Sequence, residues 1–144
     1  MQEQNYQNHA QFVTSYHKVL IPIMLLTLIG ACVNLWHSLG NHDRLYSAAL
    51  IVVLVFCSIA IMLFARIFAL KAQDRAIRAE ENLRHYVLTG KLLDPRITVK
   101  QVTALRFASD AEFVPLAAKA AQEGTKPDDL KKSIKQWRAD LYRV

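Results

Sequence analysis

The sequence has few of the residues that interrupt helices, with four glycines and four prolines among 144 residues. Neither type occurs between Gly40 and Gly90, so one very long helix is permitted there. Charge is also scarce at first: Lys18 and Arg44 are the only Lys or Arg residues before Arg66. Asp and Glu are absent from both long apolar runs, so a proton or cation pathway through them is poorly supported.

The patterns that mark most catalytic sites are also missing. The chain has no nucleophile motif, no paired buried carboxylates and no glycine-rich phosphate loop. Ser109, Asp110 and Glu112 resemble a polar catalytic group, but a helix start accounts for all three. We therefore predict that the protein is not an enzyme and carries no cofactor.

The two cysteines, Cys32 and Cys57, do not predict a disulfide. Counted outward from the turn between the apolar runs they lie at different depths, so we interpret them as small apolar fillers. No spacing of His, Cys and carboxylates matches a metal site. A weak metal site at His37, His42 and Asp43 remains as an alternative to a solvated turn.

Two apolar runs, residues 19–39 and 45–65, dominate what is present. Each is long enough to cross a hydrocarbon core about 30 Å thick. The intervening GNHDR, residues 40–44, is too short for anything but a tight turn, so the two helices are antiparallel neighbours. The predicted fold is an all-α membrane protein with a transmembrane hairpin over residues 19–65.

The distribution of positive charge predicts the orientation of the hairpin. Arg66, Lys71, Arg75, Arg78 and Arg84 follow the second run within one helix length. Because positively charged flanks stay in the cytoplasm, both termini are predicted there and the turn outside. Arg66 and Lys71 are also placed to contact anionic lipid headgroups.

The stretch LIGAC, residues 28–32, is an alternative signal because it resembles a lipoprotein cleavage site that would leave Cys32 lipidated. The region before the first run is long and nearly uncharged, and Trp36 and the turn extend the run as an ordinary span. We therefore favour an uncleaved span.

A stripe of small and polar residues follows one side of the first span: Thr27, Gly30, Ala31, Asn34 and His37. Such residues let helix backbones approach closely and bond across to a neighbour. The alternative is a polar path lined by several copies of the hairpin. The absence of acidic residues favours a membrane packing face.

The amino-terminal segment, residues 1–18, has aromatic residues at helical spacing, among them Tyr6 and Tyr16. This pattern favours a short helix along the inner membrane surface, while the Gln and Asn content leaves a disordered tail as the alternative. Pro22 is then expected in the first turn of the span.

The second span continues without a breaker into a charged stretch, residues 66–89, so both are predicted to form one helix of about forty residues. Asp74 with Arg78 and Glu80 with Arg84 have favourable ion-pair spacing. An apolar face recurs in this stretch from Phe68 onward: Phe68, Ala72, Ala76, Ala79, Leu83 and Tyr86 with Val87. Its drift from a strict heptad favours docking on the chain's own carboxyl end over an intermolecular coiled seam.

Residues 90–144 are predicted to form a small unit of three helices. Thr98 with Gln101 and Ser109 with Glu112 resemble capping boxes, and Thr125 resembles a third helix start. Gly124 would close the second helix. The predicted core faces are Val99, Val102, Leu105 and Phe107, then Phe113, Leu116, Ala117, Ala120 and Ala121, then Leu130, Ile134, Trp137 and Leu141.

The predicted last helix is basic, with Lys131, Lys132 and Lys135 outside its core face, which raises a helix-turn-helix nucleic-acid interface as an alternative. Asp128 and Asp129 dilute the patch, and basic residues beside a membrane more often serve topology or anionic lipid. Nucleic acid is therefore not the expected partner.

Three strings, QDRAIRAEENLR, LRFASDAEF and IKQWRADLYRV, with the Asn- and His-containing amino terminus, resemble a family of small uncharacterised bacterial membrane proteins, a domain of unknown function. The resemblance covers essentially the whole chain. It implies a two-span protein of the bacterial inner membrane and carries no functional residues to transfer.

We therefore predict a structural or interaction protein that self-assembles or docks a partner, as a homo-oligomer or part of a larger membrane complex. A homo-oligomeric channel or transporter component is the alternative. Trp137 falls on an apolar face, and Arg106 has the spacing to bridge Asp110. The candidate interaction residues are Arg78, Glu81, Arg84, Arg106, Asp110, Trp137 and Arg138.

Overall fold

The computed structural model describes residues 4–9 and 12–140. Over these residues a π-helical turn, Ser15–Leu20, precedes α1 (Ile21–Ser38), α2 (His42–Thr89), α3 (Val99–Leu105), α4 (Asp110–Glu123) and α5 (Pro127–Ser133). No strand occurs among them, and one isolated antiparallel bridge joins Ala108 and Trp137. The all-α prediction is confirmed. The chain divides into the hairpin, residues 12–68, and the head, residues 1–11 with 69–144.

The hairpin contains α1 and the first part of α2. Both helices are long and apolar enough to span a membrane. Ala31 and Ser38 of α1 and Ala48 and Val55 of α2 are the buried side chains, and each set recurs at seven-residue spacing. Small residues at these points allow the two helices to pack closely. Pro22 lies in the first turn of α1, as predicted.

Helix α2 extends unbroken through 48 residues, which confirms the prediction that the apolar run and the charged stretch form one helix. It ends where the sequence first offers a glycine: Gly90 has φ +73° and donates its amide to the Tyr86 carbonyl at 2.7 Å. That left-handed conformation favours glycine, because a Cβ would crowd the following carbonyl.

The helix predicted in the amino-terminal segment, residues 1–18, does not form among the described residues 4–9 and 12–13. Residues 6–8 form a turn, and the π-helical turn begins only at Ser15. The Asn5 side chain accepts hydrogen bonds from the amides of Gln7 and Asn8, at 2.9 and 3.2 Å, and this local alternative competes with a helix. Ala10 lies outside the described residues.

The head has its own apolar core. Phe107, Phe113, Leu105, Leu130 and Val102 are its largest fully buried side chains. These residues come from the predicted faces of the three short helices, which confirms the periodicity, and Leu116, Ala121 and Trp137 pack partly buried against them. Short helices of this kind depend on such packing for stability. Ile77 of α2 and Leu93 and Ile97 of the following loop complete the core.

The helix caps were predicted with mixed success. Thr98 and Gln101 form the expected capping box, and Gly124 ends α4 with φ +63°. Ser109 is the N-cap of α4, but its side chain makes no cap bond. The cap of α5 is Lys126 rather than Thr125, so that predicted start was wrong by one residue.

The last helix is shorter than predicted and does not reach Trp137. Helix α5 stops at Ser133, and Ile134 is extended with ψ 122°. The Glu112 carboxylate accepts hydrogen bonds from the amides of Lys135 and Gln136, at 3.2 and 2.9 Å. These tertiary bonds outweigh the local helical propensity. Leu141 and Arg143 lie outside the described residues.

The face of α2 that packs in the head is not the predicted apolar face. Ile77 and Glu81 are buried, whereas Leu83 and Val87 are 63% and 74% exposed. Ala72, Ala76 and Ala79 are also exposed. The docking prediction was therefore wrong about the face, because a polar contact built on Glu81 holds the core against the opposite side of the helix.

Candidate functional site

Four of the predicted interaction residues, Glu81, Arg84, Asp110 and Arg138, meet in the head and form what we call the Glu81 cluster. The first two lie three residues apart on α2 and therefore share one face. The third stands in the first turn of α4, and the last on the extended segment after α5. Arg78 is exposed on α2 and is not part of the cluster.

Arg84 is the hub of the Glu81 cluster, with a side chain 11% exposed. It donates from Nη1 to Glu81 Oε2 at 3.0 Å, from Nε to Asp110 Oδ1 at 2.8 Å and from Nη2 to the Ala108 carbonyl at 2.7 Å. Its guanidinium also lies 4.4 Å from the centre of the Phe113 ring. These contacts tie α2 to the start of α4 and to the core beneath.

Glu81 is the most enclosed acidic group of the cluster, with a side chain 6% exposed. Arg138 approaches its second oxygen at 3.6 Å and is itself 56% exposed. A carboxylate removed from water is tolerated only when it is paired and hydrogen-bonded. The largely buried Glu81 and Arg84 therefore neutralise each other in a structural contact. Asp110 and Arg138, with side chains 69% and 56% exposed, line an open depression beside that pair.

The remaining two candidates belong to the same end of the head. Arg106 pairs with Asp140 at 3.0 Å, not with Asp110 as its spacing predicted, and its guanidinium lies 4.6 Å from the Phe107 ring centre. Trp137 packs partly buried with its ring 5.1 Å from Phe107 and donates its Nε1–H to the Ile134 carbonyl. Both contribute contacts to the core.

Two other sequence predictions about polar pairs were wrong. Arg84 pairs with Glu81 and Asp110 rather than with Glu80, because turning inward gives it a buried carboxylate and an aromatic ring. Glu112 does not cap its own helix; its carboxylate holds the segment after α5. In both cases a partner distant in sequence replaces the local one.

The amino-terminal residues contribute contacts that the sequence did not reveal. Tyr6 donates its hydroxyl hydrogen to Asp128 Oδ1 at 2.8 Å. His9 lies with its ring centre 5.9 Å from those of both Phe107 and Trp137. The two partners of the Tyr6 bond lie 122 residues apart, so no local signal reports the contact.

Shifted pKa values occur at two exposed groups of side chains in the head. Hydrogen bonds from Lys132 and Tyr6 lower the pKa of Asp128 below its ordinary 3.8, and the same carboxylate raises the pKa of both partners. Arg96 lowers the pKa of Asp94 to about 2 by bonding to it through side chain and backbone. Both shifts arise because hydrogen bonds and opposite charges stabilise the ionised carboxylate.

The predicted packing stripe of α1 is mostly exposed in the hairpin. Ala31 is 6% exposed and packs within the chain, but Thr27, Gly30, Asn34 and His37 do not. The hydroxyl of Thr27 is satisfied by the Ile23 carbonyl of its own helix at 2.8 Å. The stripe is therefore a surface of the single chain, and its role in packing against another chain stays a prediction.

No group of three or more His, Cys, Asp or Glu side chains that could hold a metal ion occurs within residues 4–9 and 12–140. Cys32 and Cys57 are both free thiols.

The family model described as "Family of unknown function (DUF6526)" matches residues 1–144. No curated protein and no solved structure is significantly similar to the chain.

Proposed function

This chain belongs to the DUF6526 family of unknown function, and from that premise we propose that it is a membrane protein whose helical head serves protein–protein interaction. The proposal is carried by an exposed apolar surface on α2 that does not take part in the core of the head. Leu83, Tyr86 and Val87 are 63%, 53% and 74% exposed although the core of the head is closed without them. Contiguous exposed apolar side chains mark interaction sites.

The surface of the hairpin supports the membrane part of the proposal. Trp36, Leu54, Phe56 and Ile61 are each at least 66% exposed. Only 6% and 11% of the most apolar windows of the two helices is buried, whereas a core helix of a water-soluble protein is mostly buried. A lipid environment covers such a surface.

The orientation proposed is that of a bacterial inner-membrane protein with both termini in the cytoplasm. Lys and Arg concentrate after the second apolar run, from Arg66 to Arg84, and the turn carries only Arg44. Positive flanks on the cytoplasmic side support this placement, as does the resemblance of the whole chain to bacterial two-span proteins.

Cysteine labelling in intact cells tests the membrane placement. In a chain with Cys32→Ala and Cys57→Ala, we expect His42→Cys, at the start of α2 beside the turn, to react with a membrane-impermeant maleimide. Lys119→Cys, whose native side chain is 51% exposed, is expected to react only after lysis. The reverse pattern would overturn the orientation. Release of the chain by alkaline carbonate would overturn the membrane assignment itself.

The interaction function is tested by the mass of the native particle. The tagged chain is extracted from its host in a mild detergent, and the protein mass is measured with the detergent contribution subtracted. We expect a discrete assembly larger than the 16.4 kDa of one chain. A single chain at every extraction condition would contradict the proposal.

A homo-oligomeric channel or transporter component is a second candidate, favoured by the exposed stripe on α1. Asn34 is exposed on an apolar helix, and its side-chain amide makes no hydrogen bond to the rest of residues 4–9 and 12–140. A bare amide in lipid is costly, so further copies lining a polar path would satisfy it. Ion flux in vesicles that Asn34→Leu abolishes without loss of assembly would favour this function.

A further inference from the structure

We infer that the exposed face of α2 is covered by α2 of a second copy of this chain, with the two helices parallel and in register. This inference rests on the proposed function and names its partner. We call the face the seam; its members are Ala69, Ala72, Ala76, Ala79, Leu83 and Tyr86.

The spacing of the seam is that of a two-stranded coiled coil. From Ala69 to Tyr86 its members are separated alternately by three and four residues, so every second member lies seven residues further on, a repeat of 3.5. The drift noted in the sequence arises when Phe68 is taken as the first member in place of Ala69. A 3.5-residue repeat keeps one face of a helix directed at a partner helix. Among residues 4–9 and 12–140, nothing in the head covers the five exposed members of the seam, which are Ala72, Ala76, Ala79, Leu83 and Tyr86.

The head leaves the seam open. At 3.6 residues per turn, the seam lies on the side of α2 opposite Ile77 and Glu81. Those two residues are 6% and 4% exposed and form the contact with the core. Pairing along the seam therefore requires no rearrangement of the core or of the Glu81 cluster.

The large side chains at one end of the seam supply the apolar contact. Leu83 and Tyr86 are seam members, and Val87 stands directly beside them. The four alanines allow the remaining length of the two helices to approach closely. The surface is thus more than a row of small residues, because its exposed large side chains need a cover.

Charge on the flanks of the seam selects a second copy as the occupant. Arg75 precedes the seam member Ala76 by one residue, and Glu80 follows Ala79, so the two stand on opposite flanks five residues apart. In a parallel, in-register pair this is the spacing at which flanking residues of the two helices face each other. Arg75 of each copy then meets Glu80 of the other, twice per pair.

The membrane supplies the parallel direction. Copies inserted by the same rule for positive flanks have the same orientation, so their α2 helices run the same way. In an antiparallel pair the two copies would have opposite orientations in the membrane, and Arg75 of one copy would not meet Glu80 of the other.

Disulfide cross-linking in native membranes tests the seam. In the chain with Cys32→Ala and Cys57→Ala, we expect Ala76→Cys, Ala79→Cys and Leu83→Cys to give covalent dimers on mild oxidation. Arg78→Cys is the matched control, since Arg78 is exposed on the same helix but lies outside the seam. Cross-linking of Arg78→Cys as efficient as that of the three seam cysteines would overturn the pairing.

Charge reversal tests the register. With the dimer measured by energy transfer as the chain is diluted in lipid vesicles, Arg75→Glu and Glu80→Arg are each expected to weaken pairing about fivefold. The double variant Arg75→Glu/Glu80→Arg restores complementary charge and should recover the original affinity. A double variant as weak as either single variant would overturn the parallel register.

One further pair of variants separates this inference from the proposed function. Leu83→Glu is expected to abolish the dimer, and Leu92→Glu, an equal change at a residue 65% exposed outside the seam, to leave it intact. A larger native particle without seam cross-links would overturn the second copy as partner and leave the proposed function standing. A single chain in every condition would overturn both.

Discussion

Large apolar side chains have opposite environments in the two units of this protein. In the head, Phe113 and Phe107 are 0% and 1% exposed, whereas in the hairpin Phe56 and Trp36 are 67% and 74% exposed. The head removes these groups from water by packing three short helices, a loop and one face of α2 around them. In the hairpin only narrow lines of small residues are covered by protein. Apolar content alone therefore does not indicate whether a segment is covered by protein or left open to its surroundings, whereas the exposure of its side chains does.

The largest expected effect comes from the same truncation made in both units. Phe113→Ala should lower the free energy of unfolding of the head by about 3–5 kcal/mol, because it removes a buried ring and leaves a cavity. The measurement is a urea titration of the full chain in detergent, in a Trp36→Phe background. Since the sequence has two tryptophans, Trp137 then reports on the head alone.

Phe56→Ala is the matched control for that truncation. Its ring is 67% exposed, so the transition reported by Trp137 should move by less than about 0.5 kcal/mol. Equal losses of unfolding free energy for Phe113→Ala and Phe56→Ala would contradict the difference between buried and exposed apolar side chains.

A second contrast lies within α2, between neighbouring carboxylates. Glu81→Gln keeps the shape but removes the charge that faces Arg84 and Arg138, and should cost about 2 kcal/mol of head stability. Glu80→Gln, at an exposed position one residue away, should change it by less than about 0.5 kcal/mol. The same titration measures both. Indistinguishable values would show that the Glu81 cluster adds no stability to the head.

Much of the fold follows from local features of the sequence. The lack of glycine and proline between Gly40 and Gly90 predicts the continuity of α2, and Gly90 itself marks its end. Apolar periodicity predicts most of the core of the head. These features succeed because each depends on residues within one or two helical turns of one another.

The face of α2 that enters the head could not be predicted in the same way. Periodicity assigns charged residues to water and alanines to the core, and here the assignment is reversed. Glu81 and Arg84 neutralise each other, and Arg84 covers the Phe113 ring. Such a contact needs partners from three parts of the chain, so the spacing within one helix does not encode it.

The end of α5 was missed for a related reason. The residues after Ser133 carry a good helical pattern, but Glu112 binds two of their amides and the Phe107 carbonyl accepts the amide of Arg138 at 2.7 Å. Tertiary hydrogen bonds of this kind override propensity. The contact of Tyr6 with Asp128 is equally non-local.

Glycine substitutions in the head and in the hairpin are expected to have smaller effects, which also differ between the two units. Gly124→Ala should destabilise the head by about 1 kcal/mol, because φ +63° is unfavourable for any residue with a Cβ even though the space is open. Gly40→Ala, in the turn of the hairpin, has open space and no positive φ, so no loss is expected. Urea midpoints followed by Trp137 fluorescence measure the first, and the fraction of chain in the membrane measures the second. A head unaffected by Gly124→Ala would contradict this account of the cap of α4.

The smallest effect concerns the pH dependence of the amino-terminal contact. Because the pKa of Asp128 is lowered below its ordinary 3.8 by Lys132 and Tyr6, the bond to Tyr6 is fully present above that value. It weakens as the pH falls through the lowered pKa, since the protonated carboxyl carries no negative charge to attract the hydroxyl hydrogen of Tyr6. The ring resonances of a labelled Tyr6 should therefore shift on acidification below about pH 4, and Asp128→Asn should abolish that shift. Asp94→Asn, which removes a second carboxyl of the head with a lowered pKa, should leave the Tyr6 titration unchanged. A shift that survives in Asp128→Asn would place its cause elsewhere, and the amino-terminal residues would then owe their place on the head to the aromatic contacts of His9 rather than to this pair.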